Sequence, residues 1–350
     1  MALGFSGSNG GIGEIKDVVE KNLLEVSYFI NNSCNLNCKH CYVGYNKKED
    51  ELGVLEWKKV FEELINLGAL TFGNVGKEPL LSWEKTKELL RFFKEKRDKN
   101  SRLRFGLVTN ATLLDSEKIK ELSKLMPTYI DISLDGTKEK HDFIRGNGIY
   151  EKVLENIKEI NEINPELSKR VFISSVLMKH NRESFKKMIQ EVSSLGVKHF
   201  LISPYVRSEK DSSNDLLLDV SEIIGFYKEV IFGKLFSSEV SEAEIILKND
   251  FDTLKSVMDK CVEEGLIDLE NLFVDEYTTI FSKYDFPNKN RVIINFIPKN
   301  QTFSKEIRIS HDGFVSNCYA QFFEDYPKRK EIVGNVKEKN ISEILKPYFD

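Results

Sequence analysis

No apolar run in the 350-residue chain approaches the ~18 residues that a membrane-spanning helix needs. Its opening, MALGFSGSNGGIGEI, lacks a basic stretch followed by an apolar core. Neither a membrane partner nor a secretory signal is therefore expected, and the expected location is cytoplasmic. An excess of one charge is also missing, since 51 basic residues face 56 acidic ones for a net −5. That balance argues against a nucleic-acid partner bound along the whole chain. Cysteine is scarce, and five is an odd number, which argues against a disulfide framework in a reducing compartment. No repeat of solenoid type is present. What remains is 41% apolar and 31% charged residues, the composition of a chain with a sizeable core. At ~150 residues per domain its length suggests two units.

Residues 1–23 are rich in glycine and serine and read as a flexible leader. SGSNGGIG has glycines near dinucleotide-loop spacing, but no apolar strand precedes it. From residue 24 a rhythm begins, with strands predicted at 24–30, 69–73, 104–109, 129–134, 171–178 and 199–202. Between them run helix-period stretches. One places Val54, Trp57, Val60, Phe61, Leu64 and Ile65 on a single face, and others cover 83–96, 116–125, 150–160 and 183–195. Six βα units in succession imply parallel strands with right-handed crossovers. The result is an α/β fold, either a doubly wound sheet or an incomplete (β/α)6 barrel. Both place ligands at the carboxyl ends of the strands.

This partial barrel is expected to span residues 24–210. Residues 211–290 read as an acidic, helical bridging region, and 291–350 as a smaller α+β domain. Strands are predicted there at 291–297, 306–310 and 314–318, with a tight turn at Asp312-Gly313 and a short helix at 341–345.

Three of the five cysteines, Cys34, Cys38 and Cys41, fall within eight residues directly after the first predicted strand. The spacing C-x3-C-x2-C can hold three corners of an iron–sulfur cube and leave the fourth iron open. Structural zinc prefers four protein ligands, and His40 is too close to Cys41 to complete such a set easily. Unligated core cysteines are the remaining alternative.

The loop resembles the cluster-binding motif of the radical S-adenosylmethionine (SAM) superfamily, in which an aromatic residue precedes the last cysteine; here His40 takes that place. The resemblance continues along the chain. Gly76-Lys77-Glu78-Pro79 is similar to the family's Gly-Gly-Glu-Pro segment, with Lys77 in place of the second glycine. Val108-Thr109-Asn110 resembles the segment after the third strand. Ser133-Leu134-Asp135-Gly136, then His141-Asp142 and Arg145-Gly146, resembles the SLDG…HD..RG stretch of peptide-modifying members. Val206 matches a position that contacts adenine. The resemblance implies the incomplete (β/α)6 barrel, one [4Fe-4S] cluster on Cys34, Cys38 and Cys41, and SAM held by His40, Gly76, Glu78, Asn110, Ser133, Arg145 and Val206. The implied chemistry is one-electron cleavage of SAM to a 5′-deoxyadenosyl radical that abstracts a substrate hydrogen. An external electron donor such as a flavodoxin or ferredoxin is implied with it.

RISHDGFVSNC and GNVKEKNISEIL resemble the C-terminal SPASM or twitch module of peptide and protein maturases. Only Cys318 lies in its hairpin and Cys261 is far upstream, and Gln301 and Ser304 stand in the stretch before the hairpin. The module is therefore expected to be degenerate, without an auxiliary cluster. Cys261 and Cys318 are either buried small hydrophobes or hydrogen-atom donors to a substrate radical. Asp131 shares a strand face with Ser133 and Asp135, and is expected to be buried beneath Ser133 as a structural or catalytic acid. The basic stretch Lys94–Arg104 reads as a solvated helix end or as a leader-peptide contact. The implied substrate is a ribosomal peptide or protein side chain. A small molecule (sugar, nucleoside or amino acid) and a non-catalytic relative that merely keeps the fold are the competing readings.

Overall fold

The computed structural model describes residues 25–41, 51–205, 215–266, 273–274, 280–297, 306–316 and 332–348. Cys318, Val206, Gln301 and Ser304, like the proposed leader, lie outside the described residues.

Six strands alternate with helices as the two periodicities dictate. They are β1 (Glu25–Tyr28), β2 (Thr71–Asn74), β3 (Arg104–Thr109), β4 (Tyr129–Ser133), β5 (Val171–Leu177) and β6 (His199–Pro204). Neighbours pair in parallel, in chain order, across the whole series. The crossovers carry α1 (Val54–Asn66), α2 (Trp83–Lys99), α3 (Ser116–Leu125), α4 (Lys138–Arg145), α5 (Ile149–Ile163) and α6 (Phe185–Ser194). Local chemistry starts several of them. Glu56 Oε2 accepts from the Gly53 N–H at 2.7 Å before α1, and Asp115 Oδ1 from the Lys118 N–H at 2.8 Å in α3.

Period-two burial separates the two faces of the sheet. In β4, Ile130 and Ile132 are buried in the apolar core with the helices, while Tyr129, Asp131 and Ser133 are half-buried on the other face. β5 repeats the pattern, with Phe172, Ser174 and Val176 half-buried. The open face is the concave interior of a partial barrel, and Tyr129 lies across it. A Cβ on Gly73 would meet the Tyr129 hydroxyl at 2.6 Å, and one on Gly106 would meet its backbone oxygen at 2.4 Å. Position 106 therefore admits only glycine, and a side chain at Gly73 would displace the Tyr129 ring.

The sheet does not end at six strands, and this corrects the reading of 211–290 as a helical bridge. Two helices do lie there, α7 (Val220–Ile231) and α8 (Phe251–Glu263). So do strands β7 (Glu244–Asp250), β8 (Phe273–Val274) and β9 (Ile280–Asp285). β7 pairs in parallel with β6, and β10 (Arg291–Ile297) in parallel with β7. Ile245 and Leu247 supply the buried face that earns β7 its place. On the opposite edge β11 (Glu306–Ile309) pairs in parallel with β1 and turns through Asp312-Gly313 into antiparallel β12 (Phe314–Ser316). Strand β13 (Ile332–Asn335) and helix α9 (Ile341–Leu345) follow. The sheet reads β13-β12-β11-β1-β2-β3-β4-β5-β6-β7-β10-β9-β8. Among the described residues no helix is long and apolar enough to cross a membrane.

The first third of the core is aromatic. Tyr28, Trp57, Phe61, Phe72, Phe93 and Phe105 pack between β1–β3 and helices α1 and α2, with Phe72 and Phe93 centroids 4.7 Å apart and Tyr28 and Phe61 4.8 Å apart. Phe93 contacts Tyr28, Phe61, Phe72, Phe92 and Phe105 and has no exposed surface. Phe93→Ala is expected to cost roughly 3–5 kcal/mol, read as a fall in the urea midpoint.

Candidate cofactor site

The loops that follow β1–β5 meet at the carboxyl ends of the strands, and two buried carboxylates tie them together. The β1 loop carries the cysteines. Its Phe29 N–H donates to Ile309 O at 3.0 Å, its Lys39 N–H to Ile144 O at 3.0 Å, and its Cys41 N–H to Cys38 O at 3.1 Å. Cys34, Cys38 and Cys41 are half-exposed, unlike the fully buried Cys261. Burial pushes the Cys34 thiol up and the Cys38 thiol up to about 11, and the neighbouring cysteines add to both shifts.

The first carboxylate is Glu78, which has no exposed surface. Its Oε1 accepts from the Leu80 N–H at 3.0 Å and the Thr109 hydroxyl at 2.8 Å, and its Oε2 from the Asn110 N–H at 2.9 Å. Its backbone completes the staple. The Glu78 N–H donates to Ser33 O at 3.0 Å, and Glu78 O accepts from Asn31 Nδ2 at 2.9 Å. Burial raises its pKa against these donors. The loops after β1, β2 and β3 are thus pinned by one residue, through its backbone and its side chain. Beside it, Gly76 packs on the end of β1, where a Cβ would fall 2.6 Å from Phe29 Cα.

The second is Asp135, also without exposed surface. Its Oδ1 accepts from the Val176 N–H at 2.8 Å, and its Oδ2 from Arg145 Nε at 2.7 Å and from His40 Nε2 at 2.9 Å. Its own N–H donates to His141 Nδ1 at 3.0 Å. Burial alone would raise its pKa, but the Arg145 guanidinium and His40 hold it far below the carboxylate range. Burial and the nearby Arg145 charge push His141 down to about 4, so the ring is neutral and accepts through Nδ1. Arg145 Nη1 reaches to 3.9 Å from Cys38 Sγ. Asp135 therefore joins the cysteine loop, α4 and the end of β5.

The structure gives the expected site residues the following places. His40 does not project into open space; it is buried and bonded to Asp135. Glu78 spends its carboxylate inside the protein. Arg145 divides its guanidinium between Asp135 and the Cys38 sulfur. Asn110 Nδ2 lies 3.9 Å from Cys34 Sγ and 2.9 Å from Asn35 Oδ1. Ser133 ends β4 on the concave face, and Asp131 is half-buried below it rather than enclosed. Asp135 leaves the shared face because the strand stops at Ser133. Cys261 lies in the apolar core on α8, its thiol pushed up to about 12 by burial, which argues for packing over hydrogen donation to a substrate. Sequence reasoning quoted Asp135 and His141 within a motif but assigned them no role, and it missed α4. An acid at a strand end with Arg145 ten residues on was the available signal.

The donor set fits an iron–sulfur cube better than a single ion. Among the described residues no three Cys, His, Asp or Glu side chains converge as ligands of one metal ion. The thiolates of a cube each bind a separate iron and need no common point. Neutral thiols at elevated pKa become ligands when a metal's positive charge displaces their protons. The Leu36 N–H at 3.4 Å from Cys34 Sγ, with Asn110 and Arg145, supplies donors for thiolate sulfur.

Residues 28–192 match the family described as the Radical SAM superfamily. Over 132 residues the chain is 32% identical to an Fe-coproporphyrin III synthase of Methanosarcina barkeri, covering 37% of this chain and 32% of that protein. Over 172 residues it is 30% identical to a PqqA peptide cyclase of Bradyrhizobium diazoefficiens, covering 48% and 42%. The chain thus spans less than half the length of these curated relatives. In fold it is similar to Streptococcus suis SuiB bound to S-adenosylmethionine, with a TM-score of 0.66 and 14% identity over 93% of this chain and 67% of that one. SuiB bound to its precursor peptide SuiA gives a TM-score of 0.65 at 15% identity, over 97% and 68%.

Two outcomes are expected. Glu78→Gln turns an amide N–H₂ toward one of three buried donors and should cost about 1–3 kcal/mol, measured by chemical denaturation. Because the His141 pKa is about 4 in the folded protein and about 6.5 unfolded, unfolded chains take up the extra proton. Stability is then fully present above pH 6.5 and falls by about 3 kcal/mol towards pH 4. His141→Asn, which keeps an acceptor for the Asp135 N–H, should flatten that slope.

Proposed function

We propose that the radical SAM domain formed by residues 28–192 acts as a radical SAM enzyme on a peptide or protein side chain. The observation that carries this reading is the joining of the cysteine loop to the loops after β2, β3 and β4 by Glu78 and Asp135. Cys34, Cys38 and Cys41 would hold a [4Fe-4S] cluster, and Gly76, Asn110, Ser133 and Arg145 would hold SAM at the carboxyl ends of the strands. When bound, these groups supply the one-electron opening of SAM and hydrogen abstraction from the substrate, with the electron coming from an external carrier such as a flavodoxin or ferredoxin.

The chain's own residues do the positioning. Arg145, oriented through Nε by Asp135, keeps a fixed positive charge beside Cys38, where it would meet the carboxylate of SAM. Asn110 stands beside Cys34. Ser133 presents its hydroxyl at the carboxyl end of the concave face. Preorganised donors of this kind cost no rearrangement when charge develops. The half-buried residues Asp131, Phe172 and Ser174 line the space where a substrate would displace water.

A peptide substrate is supported by the relative named PqqA peptide cyclase and by the fold likeness to SuiB bound to its precursor peptide SuiA. The relative named Fe-coproporphyrin III synthase favours a second reading, a small-molecule substrate. Anaerobic reconstitution should load about four irons and four sulfides per chain and give a brown protein that releases 5′-deoxyadenosine from SAM after reduction. Replacing Cys34, Cys38 and Cys41 with alanine should remove colour, iron and product together. Iron-free protein after reconstitution, or product that survives the triple replacement, would falsify the assignment. Mass spectrometry of co-expressed candidate peptides separates the two substrate readings.

A further inference from the structure

The amino ends of the strands hold a feature that this chemistry leaves unused. A cavity of about 680 Å³ opens there, lined by Arg97, Asp98, Arg102, Arg104, Thr128 and Arg170. These residues come from the end of α2 and the starts of β3, β4 and β5, opposite the cysteine loop. Four arginines share the cavity with one carboxylate, and the Asp98 carboxylate is already engaged by Lys94 Nζ at 2.9 Å.

Two of the four guanidiniums are fixed without being neutralised. Arg97 Nη1 donates to Met126 O at 2.8 Å, and Arg170 Nη1 donates to Met126 O at 3.0 Å and Pro127 O at 2.9 Å. Arg97 also lies over the Phe105 ring, 4.9 Å from its centroid. Among the described residues neither Arg97 nor Arg170 forms an ion pair with a carboxylate. Capping the end of α3 accounts for one nitrogen of each fork, while a guanidinium offers five N–H donors. Burial and the Arg170 charge act against the Arg97 proton and outweigh the nearby Asp98 carboxylate.

We propose that this arginine cavity docks an acidic segment of the peptide substrate. The inference rests on the peptide reading above. Rigid guanidinium forks suit carboxylates, and the cavity is several times larger than a single oxyanion. Arg104 and Tyr129 stand at the starts of β3 and β4, so the cavity sits at the amino ends of strands whose carboxyl ends face the cysteine loop. Six residues of β3 span roughly 20 Å, which places the anchor about six extended residues from the site of chemistry. An acidic electron carrier docked here would be a full strand length from the cysteines, so it is not the occupant.

The test uses the whole chain and a fluorescein-labelled hexaglutamate peptide, followed by fluorescence anisotropy at low salt, and needs no cluster. The native chain should bind the peptide and lose at least about tenfold in affinity when salt rises to 0.5 M. Arg102→Glu, at an exposed turn, should weaken binding about tenfold or more. Arg170→Lys, which keeps a donor for the carbonyls, should weaken it several-fold with an unchanged melting temperature. Lys289→Glu, the same charge reversal at a highly exposed site beside Glu242, should leave binding intact. Equal affinity in Arg102→Glu, equal loss in Lys289→Glu, or binding of inorganic phosphate as tight as the peptide would each overturn the proposal. A chain that docks hexaglutamate but releases no 5′-deoxyadenosine would instead count against the radical reading alone.

Discussion

A carboxylate with no contact to water survives only if every bond it lost is replaced, and Asp135 meets that condition with a guanidinium, an imidazole and a backbone amide. Buried ion pairs of this kind add little net stability, but losing one partner strands the other. The site is built on that asymmetry. Without Arg145 the anion would lose its closest positive charge, and without the anion His40 would lose its bond from the cysteine loop to the end of β4. The four segments that meet at Asp135 come from distant parts of the chain, so the interaction selects one arrangement of the loops far more than it deepens the energy of the fold.

Glu78 solves the same problem with neutral donors. Two amides and a hydroxyl satisfy its oxygens, and the resulting pKa rises where that of Asp135 falls. The contrast follows from the company each keeps: a guanidinium favours the anion strongly, whereas neutral dipoles only offset part of the burial cost. Together the two acids make the rim at the carboxyl ends of β1–β5 one connected unit, rigid before any ligand arrives. Ala111, just past Asn110, even adopts a left-handed backbone at φ 59°, held by the Asn156 amide on its carbonyl at 2.7 Å.

Much of the architecture was legible because its periodicities are clean. Strand β3 and helix α3 fall on the residues expected from alternation and from the 3.6-residue repeat, and the three cysteines announce themselves by spacing. Strand β7 was not legible: Ile245 and Leu247 are buried but set in an acidic, helix-rich stretch, and pairing with β6 and β10 stabilises it. Helix α4 lies within the His141-Asp142…Arg145-Gly146 motif, where no helix is predicted from the sequence. The linking roles of Glu78 and Asp135 were hidden for a different reason. Their partners lie tens of residues away, and only the folded sheet brings them within 3 Å. Arg145 and His40 were read as facing the cofactor, whereas much of their bonding capacity is spent holding each other's surroundings in place.

Strand β11 lies beside β1, although nearly the whole chain separates them, and its Ile309 carbonyl takes the N–H of Phe29 at the root of the cysteine loop. Until that late segment is synthesised and docked, β1 has a bare edge and the loop lacks one of its moorings. Contacts so remote in sequence form slowly, and an unpaired strand edge invites association with other chains in the interval. Ripening of the cysteine loop is thereby coupled to the synthesis of β11, and aggregation in the interval competes with the arrival of a single four-residue strand.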